Sequence, residues 1–149
     1  MALVDELRRD SPLFIDTAPI IYFIEAHPRY GTLTKEVVAL FQAEDIRAFS
    51  SVLTLTEVLV KPVELGDEKR AKKFSEFLTQ GKGLTLVEIT AAIAEKAGRL
   101  RGKYPALKTV DAVQVAAALA IGAGAFLTND KRLKMVKEIK ALVLEDYVE

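Results

Sequence analysis

Four carboxylates stand where carboxylates are costly. Asp16 follows the apolar run Leu13-Phe14-Ile15, and Glu57 interrupts VLTLTEVLV. Asp111 lies at the start of the almost wholly apolar VDAVQVAAALAIGA, and Asp130 closes AFLTND. Most of the other acids sit in visibly polar stretches. Burying an ionised carboxylate without a partner is expensive, so each needs compensation. Each also has a plain structural reading. Asp16 and Asp130 can cap helices, Asp111 gains ~0.3–1 kcal/mol from a helix N-terminus, and Glu57 can face solvent. If the four converge, their mutual repulsion demands a cation. Donors that are oxygen alone select a hard ion, Mg²⁺ or Mn²⁺. Such an ion suits phosphate chemistry, because it polarises a phosphoryl oxygen and acidifies a bound water.

Composition removes most rival chemistries. The chain of 149 residues has no cysteine and one histidine, His27. That excludes a disulfide framework, thiolate-ligated zinc and cysteine catalysis, and it argues against a Ser-His-Asp triad. The start, MALVDELRRD, has no secretory signal character, and no apolar run reaches the ~18–20 residues of a membrane span. A cytoplasmic protein is expected. The 21 basic and 21 acidic side chains give a net charge of zero, but unevenly. Residues 1–57 carry −4, residues 58–110 carry +5 and residues 111–149 carry −1. Setting the four odd acids aside leaves 21 basic against 17 acidic residues. The neutral total is then compatible with an acidic metal pocket in a modestly basic surround. It also predicts weak non-specific nucleic-acid affinity and easy self-association.

The elements that must position these acids follow from pattern. Half of the residues are hydrophobic, and no linker or repeat divides the chain, so a single domain spans 1–149. Leu13–Ile15, Ile46–Phe49, LTLVEI and Ala125–Thr128 read as short buried strands, with a possible edge strand at 139–144. Thr17-Ala18-Pro19 opens a helix that stops at His27-Pro28. Thr34 is expected to cap KEVVALFQAED, with Val37, Val38, Leu40 and Phe41 on one side. Ser51 leads into VLTLTEVLV, read as a helix that Pro62 ends. Asp67–Thr79 is a charged helix stopped by Gly81 and Gly83. Thr90 and Thr109 are expected to cap the next two helices, and KRLKMVKE to form a short one. Strands alternating with helices predict an α/β fold with a largely parallel sheet covered on both faces. Such sheets bind ligands at the carboxyl ends of their strands. Asp16 and Asp130 lie at that edge.

The blocks FIDTAPIIYFIE, LTEVL, TVDAVQVAAALAIGAGAF and LTNDKRL, in that order, resemble the acidic motifs of PIN-domain nucleases. The likeness covers nearly the whole chain and is nearest to VapC-like endoribonuclease toxins and their small stand-alone relatives. It implies a three-layer α/β/α sandwich around a short, largely parallel sheet. It also implies metal-dependent hydrolysis of phosphodiesters, usually in RNA. By this resemblance Asp16, Glu57, Asp111 and Asp130 are the site acids and metal ligands, and Thr17 and Thr128 match the family's site hydroxyl. VapC-like members often form homodimers and are silenced by a cognate antitoxin. Leu133 departs from the pattern, standing where many relatives carry an aromatic.

On this reading, Asp16, Asp111 and Asp130 hold Mg²⁺ or Mn²⁺, directly or through water. Glu57 ligates the metal, or orients or deprotonates a water. Lys108, Lys103, Arg101 and Arg99 are the candidates for holding flanking RNA phosphates. Arg99 and Lys103 share a helix face. The competing reading is a PIN-like module that docks RNA or a protein with little or no turnover. A PIN nuclease of RNA processing, outside any toxin-antitoxin pair, is a further alternative. A phosphotransfer receiver needs an acidic pair where Asp16 is followed by Thr17. A haloacid-dehalogenase-like phosphatase needs a second Asp where Ala18 stands. A nucleotide fold needs a Gly-rich turn after the first strand, whereas Gly122-Ala123-Gly124 follows a helix. Tyr22, Phe23 and Phe41 are read as core, Phe74 and Phe77 as inward-facing, His27 as a surface helix stop and Tyr104 as loop packing.

Overall fold

Five short strands alternate with helices in the computed structural model, which describes residues 1–149. The strands are β1 (Leu13–Ile15), β2 (Ala48–Ser51), β3 (Leu84–Val87), β4 (Ala125–Thr128) and β5 (Ala141–Val143). They form one parallel sheet in the order β3-β2-β1-β4-β5. The helices are α1 (Leu3–Arg9), α2 (Thr17–Ile24), α3 (Gly31–Gln42), α4 (Val52–Glu64), α5 (Glu68–Gln80), α6 (Ala91–Lys103) and α7 (Thr109–Ala120). Two 3-10 turns, Lys131–Met135 and Leu144–Tyr147, complete the chain.

The sheet is apolar on both faces because each face carries its own core. Leu13 and Ile15 of β1 and Ala125 and Leu127 of β4 point to one side, where they meet Leu7, Ile20, Phe41, Val58 and Phe74. Phe14 and Phe126 point to the other, among Ile93, Leu100, Val115 and Leu133. Their rings stack across the strand pair with centroids 5.3 Å apart. The result is the expected three-layer α/β/α sandwich. Helices α1 to α5 cover one face, and α6 and α7 cover the other.

The chain runs outward from β1 through β2 to β3, then crosses back to β4 and β5. The direction of strand addition therefore reverses between β1 and β4. In open parallel sheets such a reversal leaves a crevice at the carboxyl ends of the two strands, because the connecting helices depart to opposite faces.

Several local expectations are corrected. Helix α1 was not foreseen; Leu3 and Leu7, one turn apart, bury themselves in the first core despite the charged residues around them. Thr34 is not a cap but lies inside α3, where its hydroxyl donates to the Gly31 carbonyl at 3.0 Å. Pro62 does not end α4; the helix runs to Glu64 with Pro62 buried in its last turn, where one lost amide bond is tolerable. Thr109 is the first residue of α7, after Lys108 at the cap position. Strand β2 begins two residues later than expected. KRLKMVKE forms only a 3-10 turn. The cap at Thr90 and the sheet-edge strand β5 form as expected, and Ser51 and Asp67 also cap the helices that follow them. Phe41 and Phe74 are buried, and Phe77 packs on Phe23 and Phe41.

Candidate active site

The reversal point between β1 and β4 opens into a cavity of about 310 Å³. Asp16, Thr17, Glu57, Asp111, Thr128 and Asp130 line it, together with Ala18, Ile21, Tyr22 and Asn129. All four carboxylates singled out in the sequence thus face one space. Strand β1 ends at Ile15 and delivers Asp16, while β4 ends at Thr128 and delivers Asn129 and Asp130. Helix α4 leaves β2 and brings Glu57 in on its second turn. Helix α7 crosses from the opposite face with Asp111 in its first turn.

Local bonds orient most of these groups. Asp16 caps α2, accepting a hydrogen bond from the Thr17 amide at 2.9 Å through one oxygen. Its other oxygen accepts from the Thr128 hydroxyl at 2.8 Å. The Thr17 hydroxyl donates to Glu57 at 2.6 Å. Both candidate hydroxyls therefore aim site carboxylates. The Thr128 oxygen also accepts from the Asp130 amide at 3.2 Å, which ties the turn after β4 to Asp16. Asp130 caps the 3-10 turn through the Arg132 amide at 3.0 Å. The Arg132 guanidinium grips both of its oxygens, at 3.0 and 2.7 Å. The bland readings of Asp16 and Asp130 as caps and of Glu57 as exposed all hold, and the convergence holds beside them.

The electrostatics show the strain of gathering these acids. Burial pushes Asp16 up from the ordinary 3.8 to about 6. The hydrogen bonds from Thr128 and Thr17 oppose that rise, and the charges of Asp111 and Glu57 add to it. Asp111 is also raised, by burial first and then by Asp130, with Arg132 and Lys108 partly relieving it. Asp130 is lowered, chiefly by its bonds from Arg132. A set of oxygen donors with two carboxylates held above their usual range fits a hard divalent cation, whose charge would stabilise the ionised forms. No three acids are drawn together tightly enough to wrap one ion directly. Mg²⁺ binds through one or two carboxylates and retains several waters, so an open arrangement suits it.

The four basic candidates part company. Lys108 is exposed at the start of α7, near enough to act on both Asp111 and Asp130. Arg101 turns back on its own chain, donating to the Leu107 carbonyl at 2.8 Å and the Thr109 hydroxyl at 3.0 Å. Lys103 pairs with Glu138 at 3.0 Å, and Arg99 with Glu95 at 3.3 Å. Tyr104 packs the loop as expected, donating to Glu138 at 2.6 Å.

Sequence reasoning missed Arg132, Asn129 and the position of Tyr22. Arg132 stands two residues after Asp130, a spacing that permits a cap to double as an ion pair. Tyr22 is half-buried rather than core; its ring packs at a tilt against His27 and stacks on Tyr30, and its hydroxyl accepts from Asn129 at 3.3 Å. Asn129 in turn accepts from the Glu145 amide at 3.0 Å. Nothing local in the sequence announces that link, because its partners lie 107 and 16 residues away.

The fold recurs in solved structures. The chain superposes on VapBC2 from Rickettsia felis bound to a DNA fragment from its promoter with a TM-score of 0.73 and 18% identity, covering 88% of this chain and 97% of that one. DNA-bound VapBC from Salmonella typhimurium gives 0.72 and 18%, over 90% and 98%. VapC20 from Mycobacterium tuberculosis, described as a Sarcin-Ricin loop cleaving toxin, gives 0.62 and 16%, over 76% and 86%. At these identities the likeness is one of fold. No curated protein matches in sequence. The PIN domain family model, however, matches residues 13–139, a span that holds all four acids and all five strands but the last. With its sheet order, its crevice and that match, the chain belongs to the PIN domain family.

Proposed function

We propose that the protein is a metal-dependent endoribonuclease that hydrolyses RNA phosphodiester bonds, and that it is the toxin of a type II toxin-antitoxin pair. The observation that carries this reading is the convergence of Asp16, Glu57, Asp111 and Asp130, from four separate segments, on one cavity at the strand-order reversal. Structural relatives described as VapBC, as a toxin-antitoxin complex and as a Sarcin-Ricin loop cleaving toxin support this reading of substrate class and antitoxin partner. The zero net charge of the chain leaves little repulsion between copies, which supports a homodimer.

Asp16, Asp111 and Asp130 would hold Mg²⁺ or Mn²⁺ through one or two carboxylates directly and otherwise through water, with Glu57 beside them. When bound, the ion would neutralise the acid cluster, polarise the phosphoryl oxygen and make water more acidic. Thr128 and the Thr17 amide hold Asp16 in place. Glu57, exposed at the cavity and aimed by Thr17, takes the proton from the attacking water. The water oxygen forms the new bond to phosphorus, the bond to the leaving ribose oxygen breaks, and that oxygen takes a proton from solvent. Lys108 holds a flanking phosphate. Arg99, Arg101 and Lys103 have intramolecular partners and contribute less.

The test is cleavage of an RNA substrate by purified protein with Mn²⁺, with EDTA, and after restoring Mn²⁺. The expected result is loss in EDTA, recovery with metal, and a fall of at least about 100-fold in Asp16→Asn and Asp111→Asn. Cleavage that survives EDTA, or full activity in both variants, overturns the mechanism.

A further inference from the structure

Directly beneath the acid cavity lies a second polar layer. Ser50, Ser51, Thr54 and Gln114 are all 0% exposed, and no buried side-chain polar atom lacks a partner. Such a group in an apolar core is costly unless it is fully bonded, and a fully bonded network holds its members in one arrangement. The Gln114 amide nitrogen donates to the Thr54 hydroxyl at 2.7 Å, and the Ser51 hydroxyl donates to the Gln114 amide oxygen. Thr54 and Ser50 share a bond of 2.8 Å, and Ser50 donates to the Ile15 carbonyl at 2.7 Å. The Leu53 amide donates to Ser51 at 3.1 Å.

Each hydroxyl has one proton, and counting protons gives the chain a direction. Leu53 N–H donates to Ser51, Ser51 to Gln114, Gln114 to Thr54, Thr54 to Ser50, and Ser50 to the carbonyl of Ile15. A flipped Gln114 amide would leave the Ser51 proton without an acceptor and the Ser50–Thr54 contact without a proton.

The ends and joints of this relay fall beside the acids. Ile15 directly precedes Asp16. Thr54 lies one helical turn before Glu57 on α4, and Gln114 one turn after Asp111 on α7, so each pair shares a helix face. The relay is thus a side-chain connection that joins β2, α4 and α7 to the end of β1, and the segments it joins deliver three of the four carboxylates. Apolar packing alone fills these positions without fixing a helix's slide along its axis or its rotation, because it is non-directional.

We propose that the Ser51–Gln114–Thr54–Ser50 relay is a positioning device that sets where Asp16, Glu57 and Asp111 stand relative to one another, and through that spacing sets the site's affinity for a divalent cation. The second half rests on the reading that these acids hold such an ion; the first does not. The residues are positioning residues, since none of them lines the cavity.

Two measurements on the full chain separate the halves. Backbone amide shifts are recorded by NMR in EDTA for wild type, Gln114→Leu, Thr54→Val and Thr54→Ser. The expected result is that Gln114→Leu and Thr54→Val move the amides of Asp16, Glu57 and Asp111 together. Thr54→Ser, which keeps the hydroxyl, should leave all three in place. Shifts confined to the neighbours of the changed residue, with Asp16 unmoved, overturn the positioning role. If Gln114→Leu does not fold, the two Thr54 variants decide. Mn²⁺ binding is then measured by calorimetry. Outer-layer partners of metal ligands commonly contribute about 10–100-fold in affinity, so Kd should rise about tenfold in Gln114→Leu and Thr54→Val and stay unchanged in Thr54→Ser. An unchanged Kd in the first two overturns the link to affinity. Wild-type protein that binds no Mn²⁺ overturns the cation reading itself, and the EDTA arm still decides the positioning role.

Discussion

Replacing Asp16 by Asn should reverse the order of stability between variant and wild type as pH rises, provided metal is absent. In the folded chain Asp16 holds its proton up to about 6, against 3.8 in the unfolded chain, chiefly through burial. Between those values the native state binds more protons than the unfolded state, so wild-type stability falls as pH rises. Each pH unit is worth about 1.4 kcal/mol, so the full loss by pH 7 is about 3 kcal/mol. Asn carries no such penalty, but its single carbonyl oxygen cannot keep both bonds that Asp16 accepts from Thr17 and Thr128. That lost bond costs about 1 kcal/mol at every pH. The variant should therefore be less stable by about 0.5 kcal/mol near pH 4, where the unfolded wild type is already half ionised, and more stable by about 2 kcal/mol above pH 7. In a domain of this size 1 kcal/mol moves Tm by about 2–4 °C, so the difference in Tm should swing by about 5–10 °C. The assay is thermal unfolding in EDTA from pH 4 to 8, repeated with saturating Mn²⁺. The cation should remove the wild-type loss above pH 6. A gap of constant sign and size across the range refutes the argument that Asp16 is strained by burial and neighbouring acids.

Four further outcomes follow from the same structure. Thr17→Val removes the hydroxyl that aims Glu57, and RNA cleavage should show kcat lowered about fivefold with KM little changed, since one hydrogen bond is worth about 1 kcal/mol. Lys108→Ala should weaken RNA binding and reduce its salt slope by about one. Arg101→Ala should lower Tm with the slope intact, and electrophoretic mobility shifts over a salt series separate the two. Phe126→Ala, which removes a buried ring stacked on Phe14, should cost about 3–5 kcal/mol in urea unfolding. Glu145 is held at about 2 by Arg29 and Tyr30. Its contribution is present above the ordinary 4.5 and is lost as pH falls to 2, so acid unfolding of Glu145→Gln should converge on wild type across that window.

Much of the fold is legible in local pattern. Short, largely apolar strands announce a sheet buried on both faces, and β1 and β4 fall where LFI and AFLT stand. Caps at Ser51, Asp67 and Thr90 follow from side chains that reach their own backbone two or three residues on. Errors arise where a local preference meets tertiary packing. Thr34 is a good cap by type, yet α3 starts at Gly31 and holds Thr34 buried, its hydroxyl bonded back to the Gly31 carbonyl instead of to an amide ahead. Pro62 breaks one hydrogen bond, and burial of its ring outweighs that loss in a last turn.

The four acids were visible because charge in an apolar context is expensive wherever the chain leads. That much the amino-acid order determined by itself, along with the fold class and the lack of any cysteine. It could not decide which basic residues are free, because Arg101, Lys103 and Arg99 are claimed by Thr109, Glu138 and Glu95. Nor could it decide that Arg132 would grip Asp130, or that Gln114 would meet Thr54 across 60 residues of chain. That an acid interrupts an apolar run is a property of its neighbours in sequence. A hydrogen bond's partner is a property of where the β1–β4 reversal brings distant segments, and only the tertiary structure sets that distance.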